Sequence, residues 1–302
     1  MNDLTCLLPL AIQDGRLAFE FDPAFYRATQ PDLVALDDEA LAAHYSNHGR
    51  GEGRCASPAA YRRGFLAQID VTRPTLEIGP AVRPSLVGDR VRYFEISDRD
   101  GLIARAIKEG YSYDKCPSVI DYVSPTGDIN VVRDKFDSVF SSHCIEHQPD
   151  LVTHLKNVRS ILTDDGRYFL LIPDKRYCFD NLLPESSVES IRAAHSELRT
   201  IHTFVSVLEH YALTTHNDTQ RHWLGDHVDT TLVGQQAHRV AVARSIYAAA
   251  NGGYVDVHAW QFTPESFRSI ISELSDIVPF DVERVYGTVR YSNEFGAVLK
   301  AK

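Results

Sequence analysis

The chain has 302 residues, 44% of them hydrophobic, with 14 Phe, 14 Tyr and 2 Trp, enough apolar surface to build a core and to exclude wholesale disorder. At about 150 residues per domain, this length suits one elaborated domain or a core with attachments. Thirty-one basic residues against 41 acidic ones leave a net charge of −10, which argues against gripping a nucleic-acid backbone or an anionic membrane.

In chain order, the apolar stretch Leu4 to Ile12 follows Asp3 rather than Lys or Arg, so no signal peptide is expected. No apolar run reaches the ~20 residues needed to span a bilayer. Asp37 is positioned to cap a helix carrying Leu41, Ala42 and Tyr45. Ser57-Pro58 reads as an N-cap and N1 proline ahead of Phe65, Leu66 and Ile69. The stretch His48 to Arg54 between them, punctuated by glycine, reads as a loop. From Thr75 the pattern changes. Strands are predicted at 75–78, 91–96, 118–123, 136–141 and 168–172, with helices over 99–108, ended by Gly110, and 149–162, ended by a turn at 163–166. Parallel strands need crossover connections, so this alternation predicts a parallel sheet flanked by helices. The run Tyr168 to Pro173, apolar on both faces, suits a central strand. Beyond Asp180 the alternation gives way to helices and loops carrying His195, His202, His210, His216, His222, His227 and His238. Strand character returns at 277–285 and 295–299, consistent with an antiparallel pair closing the sheet.

The predicted class is therefore α/β, a Rossmann-like, doubly wound and mostly parallel sheet with an antiparallel final strand. Four regions follow: a helical N-terminal appendage (1–69), a core (70–182), a helical insertion acting as a lid (183–257), and a closing helix and strands (258–302). Cys6, Cys55, Cys116, Cys144 and Cys178 are scattered and never form a CxxC pair. Neither a disulfide framework nor a structural zinc knuckle is expected, and a cytoplasmic setting is the default.

Leu76-Glu77-Ile78-Gly79-Pro80 runs from a strand straight into a glycine turn, where a ligand can approach the backbone closely. Ligands of open parallel sheets bind beyond the carboxyl ends of the strands, where this turn lies. Sixteen positions later Glu95 ends the next strand, and a carboxylate there suits both hydroxyls of a ribose. The segment Phe136 to His147 leads through Pro149-Asp150 to Leu162 and the strand ending at Pro173. With these motifs together, LEIGP (76–80), FEIS (94–97), GDI (127–129), FDSVFSSHCIEHQPD (136–150), LTDDGRYFLLIPDKRYCFD (162–180) and HAWQFTPESF (258–267), the chain resembles the class I S-adenosylmethionine-dependent methyltransferases.

The resemblance implies S-adenosylmethionine as cofactor and assigns roles residue by residue. Glu77, Gly79 and Pro80 would line its methionine side, Glu95 would hold the ribose and Ile96 would pack on the adenine. Gly127, Asp128 and Ile129 would sit at the adenine edge. Ser141, Ser142 and His143 would lie near the sulfonium and the substrate. One departure stands out: Ala81-Val-Arg-Pro84 replaces the second and third glycines of the usual turn. A catalytically silent, cofactor- or glycan-binding relative is accordingly the alternative to an enzyme. A second resemblance, carried by Tyr26, Pro31, Asp32, His44, Tyr45, His48, Gly49, Glu52, Gly53 and Arg54, is to a segment attached to bacterial glycan-assembly enzymes.

For a hydroxyl acceptor the proton would pass to His147, Asp174 or the lid residue His227, with His147 first because it follows the strand nearest the sulfonium. Lys175, Arg176, Tyr177, His222, Trp223, His258 and Trp260 are candidate acceptor contacts, the cations for a diphosphate and the rings for a sugar. His143-Cys-Ile-Glu-His147 also matches the H-x-x-E-H zinc-peptidase pattern, but that motif needs a helix, and here the segment leaves a strand and precedes Pro149. No metal is expected. The expected partners are a small-molecule or glycan acceptor, with a homo-oligomer or glycan-assembly partner open, and neither nucleic acid nor a membrane span. The acceptor is expected to be a sugar or nucleotide sugar methylated on oxygen or nitrogen. A non-sugar small molecule is the other acceptor class.

Overall fold

The computed structural model describes residues 20–302, so the Leu4–Ile12 stretch and Cys6 lie outside the described residues. Short capped helices open the described chain. The side chain of Asp22 accepts from Phe25 N at the start of α1 (Pro23–Thr29), and that of Asp37 accepts from Ala40 N at the start of α2 (Asp38–His44). Tyr26, Leu33, Leu41, Tyr45 and Ala56 gather into a small core of their own. The residues carrying the second resemblance hold one another here. Tyr26 OH meets His44 Nδ1 at 3.1 Å, and Arg54 Nη1 donates to both oxygens of Asp32 at 2.9 and 2.8 Å. A Cβ on Gly49 would fall 2.1 Å from the Tyr26 hydroxyl, so only glycine fits at that crossing.

Seven strands form one sheet in the order β3-β2-β1-β4-β5-β7-β6. They are β1 (Thr75–Ile78), β2 (Val91–Glu95), β3 (Tyr122–Val123), β4 (Phe136–Ser142), β5 (Leu162–Pro173), β6 (Phe280–Val285) and β7 (Glu294–Ala301). The first five run parallel, and β7 lies antiparallel between β5 and β6. This is the Rossmann-like, doubly wound arrangement, with the strand order of a class I methyltransferase sheet. Three element boundaries differ from the sequence-based expectation by more than two residues. The strand predicted over 118–123 shrinks to its last two residues, because the Asp121 carboxylate accepts from Tyr93 N at 2.9 Å where a backbone carbonyl would have paired. Residues 163–166 form an irregularity inside β5 rather than a turn before it, the register passing from Phe136↔Leu162 to Ser138↔Arg167. β6 starts at Phe280, not 277, because Ile277 N and Val278 N fold back onto the Leu274 carbonyl.

Alternation along β5 separates two cores. Leu170 and Ile172 face the larger one, against α5 (Leu151–Ile161), α6 (Val188–Ser196) and α10 (Pro264–Glu273). Phe169 and Leu171 face the other, covered by Ala59, Phe65 and Ile69. The stretch 58–69, which includes α3 (Arg62–Leu66), thus serves as a layer of the sheet. Helix α4 (Arg99–Glu109), capped by Asp98 and stopped by left-handed Gly110, connects β2 to β3. Within the insertion, α7 (Phe204–Leu208) and α9 (Gln236–Ala250) enclose Val207, Val255 and Val257, and α8 (Thr219–Trp223) sits apart from them. No helix among the described residues is long and apolar enough to cross a membrane.

A buried polar chain ties α5 to the sheet, the Tyr168 hydroxyl bridging Ser141 Oγ (2.8 Å) and His154 Nε2 (3.0 Å). Burial depresses His154 to about 4. A histidine held neutral in the fold binds its proton more readily once unfolded. Its contribution is complete above pH 6.5 and is lost as pH falls from there toward 4, on the order of 3 kcal/mol. Urea unfolding at stepped pH should show a midpoint that drops across this window, with a shallower drop in His154→Gln.

Candidate active site at the carboxyl ends of the parallel strands

At the end of β1 the chain turns through Gly79 (φ 72°) and Ala81 (φ 48°). Two buried carboxylates shape this turn. Glu77 accepts from Ser85 N (2.8 Å) and Leu86 N (2.9 Å), and Glu95 accepts from Ala81 N (2.7 Å) and Ile96 N (3.1 Å). Burial raises both above the usual carboxylate range, and the backbone N–H groups oppose that rise. A Cβ on Gly79 would project into open space, so the turn leaves room in front of β1. Beside it Ile96, 47% exposed, presents an apolar face, and a Cβ on left-handed Gly127 would lie 4.0 Å from its Cγ2. Asp128 is exposed and caps the short turn after it, accepting from Asn130 N. An open glycine turn, a strand-end carboxylate and an exposed aliphatic flat fit an adenosyl group. Ile129 does not join them, because its side chain is buried in the main core; only its backbone can reach an adenine edge.

The end of β4 differs more from expectation. Ser141 is committed to Tyr168 inside the protein, so it is a core residue rather than a cofactor contact. Ser142 Oγ accepts from Arg62 Nη2 at 3.1 Å. Arg62 also reaches Ser85 Oγ (3.2 Å) and Glu294 Oε2 (2.7 Å), tying the β1 turn, β4 and β7 together. His143, at φ 50°, places Nε2 2.9 Å from the same Glu294 oxygen. Burial pushes His143 down, but the Glu294 hydrogen bond and the nearby Glu146 outweigh it and raise it. Neither Arg62 nor Glu294 carries a motif signal, and each becomes visible only when distant segments meet.

Past His143, Glu146 and His147 lie in a short 3-10 turn, not the helix that an H-x-x-E-H zinc site requires. Glu146 is 0% exposed, and neither of its oxygens has a hydrogen-bond partner. His147 Nε2, His258 Nε2 and His143 Nδ1 stand 3.7, 3.9 and 4.0 Å from Glu146 Oε1. On their far sides His147 Nδ1 lies 2.9 Å from Asp256 Oδ1, and His258 Nδ1 lies 2.5 Å from Asp180 Oδ2. Burial lowers His147, and Asp256 and Glu146 together reverse this to a raised value. Arg105 links the two halves of the site: its Nη2 lies 3.8 Å from Asp256 Oδ2, and its charge opposes the upward shift of Glu95.

The other candidates go elsewhere. Asp174 is not a free base, because Arg176 Nε and Nη2 and Thr288 Oγ1 occupy its fully buried carboxylate. His227 pairs with His222 at 2.9 Å in a histidine stack with His216, so it does not join the cluster. Lys175 is buried on the Asn181 carbonyl and Arg176 is paired, so neither offers an unpaired cation to a diphosphate. Tyr177 stacks on Trp223 with centroids 3.7 Å apart, and Trp223 abuts Gly53, so these rings face each other rather than an acceptor. Trp260 is buried and donates to the Gln148 carbonyl at 2.6 Å. Of the proposed acceptor contacts, only His258 reaches the cluster.

No family model and no curated protein sequence matches the chain. Among solved structures, it is similar to LaPhzM at 16% identity (96% of this chain, 66% of that one, TM-score 0.36). PigF with SAH is 13% identical (93% and 62%, TM-score 0.38), and the DhpI-SAH complex is also 13% identical (97% and 98%, TM-score 0.39). The chain spans just under two thirds of the length of LaPhzM and of PigF. The fold assignment itself rests on strand order.

Proposed function

We propose that the protein is an S-adenosylmethionine-dependent methyltransferase acting on a hydroxyl-bearing small molecule. The observation that carries this reading is the open Gly79 turn flanked by Glu95 and Ile96 at the carboxyl ends of β1 and β2, within a sheet of this strand order. Glu95 would hold the ribose, Ile96 and Gly127 would border the adenine, and the turn from Gly79 to Ala81 would take the methionine end. Bound there, the cofactor supplies an electrophilic methyl group on a positively charged sulfur. The chain's own work is to orient the acceptor oxygen about 3 Å from that methyl, collinear with the sulfur, since orientation supplies much of the acceleration. His147, in the turn after β4 with Asp256 2.9 Å from its Nδ1, would accept the proton. A sugar acceptor is the reading favoured by the N-terminal segment's resemblance, although its motif residues are spent on packing. One observation favours a silent relative instead: Ala81 N already occupies the carboxylate intended for ribose.

Calorimetric titration with S-adenosylmethionine, followed by mass spectrometry of sugars and phenols after incubation, tests the reading. Saturable binding and a methyl gain on one acceptor class are expected. Binding without transfer to any acceptor supports the silent relative, and absence of binding overturns the methyltransferase reading and leaves only a glycan-binding relative.

A further inference from the structure

An ionisable side chain buried without any partner is costly, and proteins retain one where something else meets its charge. Glu146 is close to that position: it is fully buried, neither oxygen accepts a hydrogen bond, and its nearest cationic groups are three histidine nitrogens 3.7–4.0 Å from Oε1. From Glu146 Oε1, His147 Nε2 and His258 Nε2, we infer that the structure builds a binding site for one divalent transition-metal ion. The three atoms lie within 4.8 Å of one another.

The surroundings fit a metal better than a proton network. Each ligating nitrogen has its opposite ring nitrogen against a carboxylate, Asp256 behind His147 and Asp180 behind His258. The His258–Asp180 hydrogen bond fixes that ring and leaves its Nε2 lone pair free, the arrangement typical of metal-binding histidines, whereas His147 Nδ1 lies beside Asp256 without forming a hydrogen bond. The two rings are almost perpendicular (86°), with centroids 4.6 Å apart, so their nitrogens converge from different directions. The backbone holds the pieces in place, Ala259 N donating to the Glu146 carbonyl at 2.7 Å and so fastening the His258 segment to the β4 turn. Ligands about 2.1 Å from a common ion lie roughly 3.0–3.4 Å apart, so the 3.7 and 3.9 Å separations, and the His147–His258 pair within 4.8 Å, must each draw in for the ion to bind. Two imidazoles and one carboxylate suit Zn²⁺, Mn²⁺, Fe²⁺ or Co²⁺, and leave coordination positions open.

The open positions give the ion a use. A hydroxyl or vicinal diol of the acceptor can complete the coordination, beside Asp256, whose carboxylate Arg105 approaches to 3.8 Å. This use rests on the methyltransferase reading; the binding itself does not. With the ion in place, Nε2 of His147 has no lone pair left for a proton. The coordinated hydroxyl then loses its proton to solvent water because the ion lowers its pKa.

The test is titration of chelator-treated full-length protein with Co²⁺, read by its visible absorption, with Zn²⁺ as competitor. One equivalent is expected to bind in the native chain and in His238→Ala, an exposed-histidine control. Glu146→Gln is expected to weaken binding by at least about 100-fold, and Asp180→Asn, which loses the hydrogen bond to His258 Nδ1, by about 10- to 100-fold. Without metal, Glu146→Gln should melt no lower than the native chain, since it removes a buried carboxylate that no hydrogen bond satisfies. No stoichiometric Co²⁺ spectrum in the native protein, or an unchanged one in Glu146→Gln, overturns the site. Because the spectrum needs neither cofactor nor acceptor, it can fail or succeed independently of methyl transfer.

Discussion

S-adenosylmethionine is expected to bind Glu95→Ala about 10- to 100-fold more weakly than the native chain, because a hydrogen bond to a charged group contributes about 1.5–3 kcal/mol. Two effects act in the same direction. The variant removes the acceptor for the ribose hydroxyls, and it frees Ala81 N, which the same carboxylate now holds at 2.7 Å. Ala81 has a positive φ, a strained setting for a residue with a Cβ, so the turn in front of β1 should loosen when that bond is lost. Glu95→Gln separates the two effects: its amide oxygen can still accept from Ala81 N, so any loss in that variant reports the charge. Titration calorimetry of both variants measures the outcome, and an affinity unchanged in Glu95→Ala would remove this residue from the site.

Gly296→Ala is expected to destabilise the protein by about 2–3 kcal/mol and lower its melting temperature by roughly 5–10 °C. Gly296 lies in β7 opposite Leu171, and an added Cβ would fall 2.4 and 2.5 Å from two ring carbons of Phe65. Phe65 cannot swing aside, since it is fully buried and packed edge-on to Phe169 and Tyr286 with centroids 6.1 and 5.9 Å away. The strain should therefore lift residues 58–69 off the sheet, a loss of near-ultraviolet dichroism that thermal melts would follow. A melting temperature within a degree of native would mean that this layer is not anchored through Phe65.

The sheet was legible because β1, β2 and β4 are short and rich in apolar residues, β5 carries a continuous apolar run, and the capped helices α4 and α5 precede β3 and β5, so local pattern and tertiary role agree. The place of Glu95 at the end of β2 was legible for the same reason, though not that Ala81 N and Ile96 N hold its carboxylate. Asp174 misled because a strand-end carboxylate reads the same whether free or occupied, and its partners Arg176 and Thr288 come from a neighbouring turn and from a loop over a hundred residues away. Trp223 and Tyr177 misled similarly, since aromatic rings suited to a sugar are equally suited to each other. Glu146 stood in plain view within the β4 motif, but only the tertiary structure shows that its buried carboxylate accepts no hydrogen bond.

By itself the sequence determined the element order, the parallel core with its reversed final strand, and the glycine turn, because hydrophobic period, caps and glycine act over a few neighbouring residues. Only the tertiary structure decided which polar side chains are free and which are spent. Arg62 meets Glu294 across 232 positions and His258 meets Asp180 across 78, and such encounters depend on how the strands are ordered rather than on any local spacing.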